Sequence, residues 1–396
     1  MDKNNGAIYD ARKLGKPKMI ILGVQHMFAM FGATILVPIL TGLDISTTLL
    51  MAGLGTLLFH CITKFKVPAF LGSSFAFLGG YAAIKAFSPN DPNSMLPYAC
   101  LGVACAGLIY FILAAVIKAV GIEKVMRFFP PVVTGPIIIA IGLGLAPSAV
   151  SNCTTNWFLA VVALAVIVVF NIWGKGMAKI IPIILGLLIS YGTGLVLYFI
   201  SQANPDLIQN VPWLFSGGAD ANGVYQPIFD FTSLNTICDN ISKGHIFGSE
   251  GLIGIPIHWD KTVFGGIDYS NGALIASSII AIVPIAFATM MEHIGDICAI
   301  SSTTGNNYIK DPGLHRTLVG DGLATTLASL FGGPANTTYG ENTGVLALTR
   351  VYDPRVIRIA AYFAVAVSFF PIVSVIIGSI PSCIIGGISF VLYGMI

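Results

Sequence analysis

The stretch GGPANTTYGENTGVLALTR, Gly332 to Arg350, lies between two long apolar runs. Asn336, Thr337, Thr338, Tyr339, Glu341 and Asn342 stand where a membrane span should be greasy. Gly332, Gly333, Pro334 and Gly340 disfavour a continuous helix. The run ANTTY carries β-branched residues suited to extended backbone, and Asn342 to Thr349 can resume as a half-helix. At membrane depth, irregular backbone is tolerated only where it is buried in protein or lines a cavity. The stretch therefore predicts an interrupted span. LGSSFAF is read the same way, with Gly72, Ser73 and Ser74 preceding a second half-helix.

The surrounding composition supports that reading. The chain has 396 residues, 55% hydrophobic and 10% charged, against about 25% charged in soluble domains. It reads as an all-α polytopic membrane protein. A net charge of +2 gives no reason to expect a nucleic-acid partner. The seven cysteines show neither metal nor disulfide spacing and read as small apolar side chains. No HExxH, nucleophile motif or nucleotide loop suggests an enzyme, and no metal site is expected. The basic start runs directly into a full-length apolar span, so no cleavable signal is visible.

Twelve spans are expected, at about 18–41, 44–63, 71–87, 96–121, 128–147, 156–173, 179–200, 272–298, 316–333, 337–349, 355–379 and 381–396. The N-terminal arm carries Lys3, Arg12, Lys13, Lys16 and Lys18. Alternate connections then carry Lys64 and Lys66; Lys118, Lys124 and Arg127; Lys175 and Lys179; Lys310 and Arg316; and Arg350, Arg355 and Arg358. By the positive-inside rule the N-terminus is cytoplasmic, and the slightly acidic segment 201–271 is external.

Three pairs of motifs recur in the same order. VQHMFAMFGA (24–33) pairs with MEHIGDICAI (291–300), and VPAFLGSSFAF (67–77) with PANTTYGENTG (334–344). FPPVVTGPIIIAIGLGL (129–145) pairs with IPSCIIGGISFVLYGMI (380–396), aligning Pro130 with Pro381 and Gly135 with Gly386. Seven spans precede the second copy, so the repeats are inverted. Inverted repeats with interrupted helices mark secondary transporters, with the site near the midplane. Partners for spans six and seven should follow span twelve, so the expectation is a C-terminal truncation of about two helices.

Half-helix N-termini pointing inward offer unpaired N–H groups and partial positive charge. Glu341 stands at one such end. Glu292 reads as buried deep in span eight, within ATMMEHIGD, and Asp296 follows four residues later on the same face. Ionisable residues within a membrane are candidates for substrate or proton handling. His293 lies on a different face; like His26 it is read evenly as a packing residue with one hydrogen bond or as a functional group, and with Glu292 and Asp296 it is a proton-coupling candidate. Two carboxylates beside free N–H groups suit a flat ligand with both N–H donors and C=O acceptors, such as uracil. Phe75 or Tyr339 could stack on the ring or wall the pocket. This chemistry leaves an oxopurine open.

The motifs QHMFAMFGATILVPIL, PAFLGSSFAF, EHIGD, DPGLHRTLVGDGLAT and NTTYGENTGVLALTRVY resemble those of the nucleobase–cation symporters of the nucleobase/ascorbate transporter family, and most of all its bacterial uracil-permease branch. The resemblance covers about 17–200 and 272–396. It implies a seven-plus-seven inverted-repeat fold with short strands in spans three and ten. It also implies a division into a cytoplasmic arm (1–17), a core domain (18–121 and 272–380), a gate domain (122–200 and 381–396) and an external insertion (201–271). By motif, the substrate carboxylates fall on Glu292 and Glu341, and the backbone donors and ring wall on Phe75 and Gly340. Ser74, Ala33 and Tyr339 lie beside them. The resemblance implies proton-coupled uptake across the cytoplasmic membrane by movement of core against gate. No cofactor beyond the proton is implied, and dimerisation through the gate is. Asp296 stands where a histidine follows the first glutamate in a related permease, which opens a shared proton between Glu292 and Asp296. Alternatives are a xanthine or urate symporter, and an anion carrier of the same fold.

Overall fold

The computed structural model describes residues 7–121, 123–124, 131–179, 181–220 and 222–395; of 131–135, 137, 138, 141, 341 and 395 it describes the backbone alone. The sequence readings at Arg127 and Pro130 lie outside the described residues.

In chain order the main elements are α1 (Lys16–Thr41), α2 (Ile45–Ile62), β1 (Leu71–Ser73), α3 (Leu78–Lys85), α4 (Leu96–Val120) and α5 (Pro131–Cys153). Next come α6 (Trp157–Trp173), α7 (Pro182–Ala203), β2 (Ser216–Ala219), β3 (Tyr225–Pro227) and α8 (Thr232–Ser242). The second half holds α9 (Gly272–Ile282), α10 (Ala286–Thr304), α11 (Leu314–Leu330), β4 (Asn336–Thr338) and α12 (Gly340–Thr349), then α13 (Pro354–Ser368), α14 (Pro371–Gly378) and α15 (Ser382–Met395).

Local chemistry sets the boundaries. α1 carries a proline in its first turn and stops at Gly42, whose left-handed φ of 86° lets its N–H return to the Pro38 carbonyl. Asp44 then caps α2 by accepting from the Thr47 amide at 2.8 Å. Among the described residues, five helices are long and apolar enough to cross a membrane: Lys16–Thr41, Ile45–Ile62, Pro92–Val120, Pro182–Ala203 and Gly272–Thr304. The last is interrupted at Val283–Ile285, where Pro284 lacks an amide to donate. Expected spans three and ten are each a strand followed by a half-helix. Expected span eleven is two helices, α13 and α14, because Pro371 cannot continue the helix before it.

The chain forms two compact units. The first comprises residues 1–138 and 255–370 and is centred on the two short strands. β1 and β4 pair antiparallel, with Leu71 opposite Thr338, Gly72 opposite Thr337 and Ser73 opposite Asn336. The pairing extends through Ser74 N–H to the Ala335 carbonyl and Tyr339 N–H to the Phe70 carbonyl. Threonines on the flanking helices take up the outward backbone groups. Thr56 of α2 donates to the Leu71 carbonyl at 3.1 Å and accepts from its amide at 2.9 Å. Thr325 of α11 donates to the Asn336 carbonyl at 2.6 Å. These helices are spans two and nine, equivalent positions of the inverted repeat, and each supplies a threonine to the backbone of one strand. The Asn336 side chain reaches across, its Nδ2 donating to the Met51 carbonyl at 3.0 Å. Buried polar backbone thereby finds partners away from lipid.

α4 and α11 pack closely because both present glycine: a Cβ on Gly107 would meet the Gly322 carbonyl at 2.7 Å. Phe59, Phe70, Phe77, Tyr81 and Tyr110 fill the core around the strands.

The second unit comprises residues 139–254 and 371–396. Here α7 lies against α6 at Gly186, and α15 against α6 at Gly387, where a Cβ would collide with the Ala160 backbone. The expected external block 201–271 folds in two parts. Its first part, with the β2–β3 hairpin and α8, belongs to this unit, and residues 255–271 belong to the other. The hairpin segment is anchored by an aromatic cluster of Tyr191, Tyr198, Phe229 and Phe231, with Phe229 and Phe231 stacked at 5.2 Å.

Candidate functional site

The strand crossing decides where the candidate residues lie. β1 leads through the Phe75 turn into α3, and β4 leads through Tyr339 into α12. Because the strands are antiparallel, the two half-helices leave the crossing in opposite directions. Their first turns lack intrahelical acceptors for the leading N–H groups and carry the positive ends of the helix dipoles. Gly340 opens α12, and Phe75, half-buried, lies in the turn three residues before α3.

α10 runs beside this crossing. Glu292, Gly295 and Ala299 form an exposed stripe along it, Asp296 is half-buried, and His293 is fully buried. Asp296 accepts a hydrogen bond from Thr338 Oγ1 at 2.9 Å. A Cβ placed on Gly340 would stand 3.8 Å from Asp296 Oδ1. Asp296 thus joins α10 to the start of α12. Glu341 is the second residue of α12; its side chain lies outside the described atoms.

Glu292 is not buried, contrary to the expectation from its place deep in an apolar span. Successive helix positions are about 100° apart, so His293 turns into the unit while Glu292 turns out of it. The buried acid is instead Asp321 of α11, with no exposed surface. His293 Nδ1 lies 3.4 Å from Asp321 Oδ2. That is ion-pair range, yet neither Asp321 oxygen has a hydrogen-bond partner among the described residues. His293 Nδ1 is also 3.4 Å from Thr338 Oγ1. Asp296, Thr338 and His293 therefore lie in hydrogen-bonding sequence, and the fully buried Asp321 faces the same His293 nitrogen at 3.4 Å without a hydrogen bond. The sequence reading gave Asp321 no role. The signal was present: a carboxylate within LVGDGLAT, where a span should be apolar.

His26 is likewise a partnered core residue. Its carbonyl accepts from Asn342 Nδ2 at 3.2 Å, and its Nδ1 lies at the same distance. This ties α1 to α12 and gives Asn342 its place in the interrupted span. Tyr339 is 4% exposed, and its hydroxyl donates to the Ser73 carbonyl at 2.9 Å, with Thr34 Oγ1 at 3.2 Å. Its ring packs on Gly72, where a Cβ would collide with it. Tyr339 thus clamps the crossing, a role the sequence reading did not give it. Ala33 and Ser74 are each 1% exposed, and Ser74 Oγ has no hydrogen-bond partner among the described residues.

Known proteins resemble this chain in both sequence and fold. The uracil permease of Bacillus caldolyticus is 39% identical over 388 residues, covering 95% of this chain and 77% of that protein. The uracil permease of Bacillus subtilis (strain 168) is 37% identical over 390 residues, covering 95% and 78%. In fold, the chain matches the transmembrane domain of a cyanobacterium bicarbonate transporter, BicA, with a TM-score of 0.65. At 12% identity, with 98% of this chain and 90% of that one covered, this likeness is one of architecture alone. Residues 17–396 match the family described as Permease family, Xan_ur_permease. The interrupted spans, the inverted repeat and these relatives agree: the chain is an integral membrane protein and belongs to the Permease family.

Proposed function

We propose that the chain takes up uracil across the cytoplasmic membrane by proton-coupled symport and carries out no chemical conversion. The observation that carries this is the crossing of β1 and β4 beside α10. It brings the leading amides of two half-helices and a line of acidic side chains into one neighbourhood. Uracil offers two ring N–H groups and two carbonyls, which require this mixture of acceptors and donors. The carboxylates of Glu292 and Glu341 accept from the ring N–H groups. The Phe75 and Gly340 amides donate to the carbonyls, and Ser74, Ala33 and Tyr339 border the ring. Relatives named uracil permeases at 37–39% identity support the substrate.

The first compact unit is the core that binds substrate, and the second contains the gate. Uptake proceeds by movement of one against the other, with the N-terminus in the cytoplasm and two copies paired through their gates. The proton is the only coupling ion. It enters at Glu292 and Asp296, and Thr338, His293 and Asp321 give it a path into the protein. Inward movement of positive charge is favoured by about 2.3 kcal/mol per charge per 100 mV.

Radiolabelled uracil uptake into a uracil-permease-deficient bacterium, with and without a protonophore, tests this. Protonophore-sensitive uptake is expected. Accumulation of xanthine or urate in place of uracil would instead support the second reading, which rests on the same donor and acceptor set. Uptake of neither, with protein present in the membrane, refutes the nucleobase reading.

A further inference from the structure

The segment before α1 is tied into the first unit at several points. Ile8 N–H donates to the Arg350 carbonyl at 2.8 Å, and the Ile8 carbonyl accepts from Tyr352 N–H at 2.8 Å. This makes a parallel bridge to Val351 in the loop that follows α12. Ala11 N–H donates to Asp353 Oδ2 at 2.7 Å, and Asp10 Oδ1 meets Arg355 Nη1 at 2.9 Å, at the start of α13. Ala11, Val351 and Val356 are buried together, with Ile8, Leu14, Met19 and Leu22 packed around them. Tyr9 reaches elsewhere. Its hydroxyl donates to the Thr304 carbonyl at 2.7 Å, at the end of α10, while its ring meets Tyr352 edge-on at 5.5 Å.

The arm thus joins the far ends of the two elements that carry the candidate site. α10 bears Glu292 and Asp296 and ends at Thr304; α12 opens at Gly340 and ends just before Arg350. At the site end the two are joined by the Thr338–Asp296 hydrogen bond. At a rise of 1.5 Å per residue, the arm holds them about 12–15 Å further along. A pair of helices joined at one end alone can hinge; joined at both, it has a fixed separation.

We propose that Tyr9 is a positioning residue, and that the arm is a brace setting the separation of α10 and α12 and hence the fit of the bound ligand. The proposal rests on the reading that these elements hold the nucleobase. The Tyr9 hydroxyl supplies the link to α10, and Ile8, Asp10 and Ala11 supply the link to the end of α12 and to α13. Loss of one such hydrogen bond corresponds to an affinity change of about two- to tenfold.

The test is uracil uptake kinetics by the full chain and by Tyr9→Phe, which deletes one hydroxyl and leaves the arm otherwise intact. Amide hydrogen exchange on both purified proteins accompanies it. A KM raised two- to tenfold with Vmax per molecule unchanged is expected, together with faster exchange at 296–304 and 340–349. An unchanged KM, or a fall in Vmax alone, overturns the proposal. If the parent chain takes up no uracil, the functional reading has failed and the exchange data decide the brace. Faster exchange in Tyr9→Phe upholds it, and identical exchange overturns it. Deletion of residues 7–12 should exceed the effect of Tyr9→Phe in both readouts; a smaller effect also overturns it.

Discussion

Replacing Gly72 with alanine tests whether the strand crossing is the element that forms the site. Gly72 faces Thr337 in the centre of the strand pair, and its φ lies outside the left-handed region, so alanine brings no backbone strain. The added methyl would collide with the Tyr339 ring and stand 2.7 Å from Thr34 Oγ1. The ring cannot simply retreat, because its hydroxyl is bonded to the Ser73 carbonyl and its amide to the Phe70 carbonyl. Overpacking of this kind costs about 1–3 kcal/mol. The smaller entropy of the unfolded alanine chain returns about 0.4–1 kcal/mol. The midpoints of these two ranges leave a net destabilisation of about 1.3 kcal/mol. Since Tyr339 immediately precedes Gly340, the displacement should also reach the ligand-facing amide. The assay is the apparent melting temperature of detergent-purified full chain, paired with the KM for uracil. Gly344→Ala is the control: nothing lies within 4 Å of its Cβ position, and alanine favours a helix interior by up to about 1 kcal/mol. Gly72→Ala should melt below the parent and bind more weakly, whereas Gly344→Ala should melt at or above it. Parent-like melting and KM in Gly72→Ala would refute the reasoning.

Glu292→Gln should abolish uracil accumulation while leaving expression and melting unchanged, because the side chain is exposed and its loss leaves no cavity; full uptake in this variant would remove its role as proton carrier. Asp321→Asn keeps the shape of a fully buried group and should fold, but uptake driven by a pH gradient should fall more than uracil exchange at equal pH; equal losses in both assays would place Asp321 outside the proton path. Asp10, which caps the turn Ala11–Leu14, should make that turn of the arm acid-sensitive. Its hydrogen bond with the Arg12 side chain holds its carboxyl below the usual carboxylate range, so its contribution is present above the unfolded value of about 4 and is lost as pH falls through the folded one. Proteolysis of the arm should therefore be constant at neutral pH and rise only below about pH 4, and Asp10→Asn should remove that dependence.

The interrupted spans, the inverted repeat and the polar character of the segments that carry the proposed site were legible in the chain itself. Polar and glycine-rich stretches such as NTTYGEN are costly in hydrocarbon, and a sequence carries them there only where the fold buries or uses them. Composition fixed the membrane class for the same reason: a helix can hide its own backbone, but its side chains must suit the solvent. Three other features were decided by packing between distant segments. Which of Glu292 and Asp321 is buried depends on which face of each helix meets its neighbours, and an apolar span has no periodicity to reveal that face. Tyr339 became a clamp because Gly72, far away in sequence, leaves room for its ring. The arm became a brace because residues 8–11 meet 350–355 and Thr304 in space. Local sequence sets what each segment can be, whereas hydrogen bonds between segments hundreds of residues apart exist only once the chain has closed on itself.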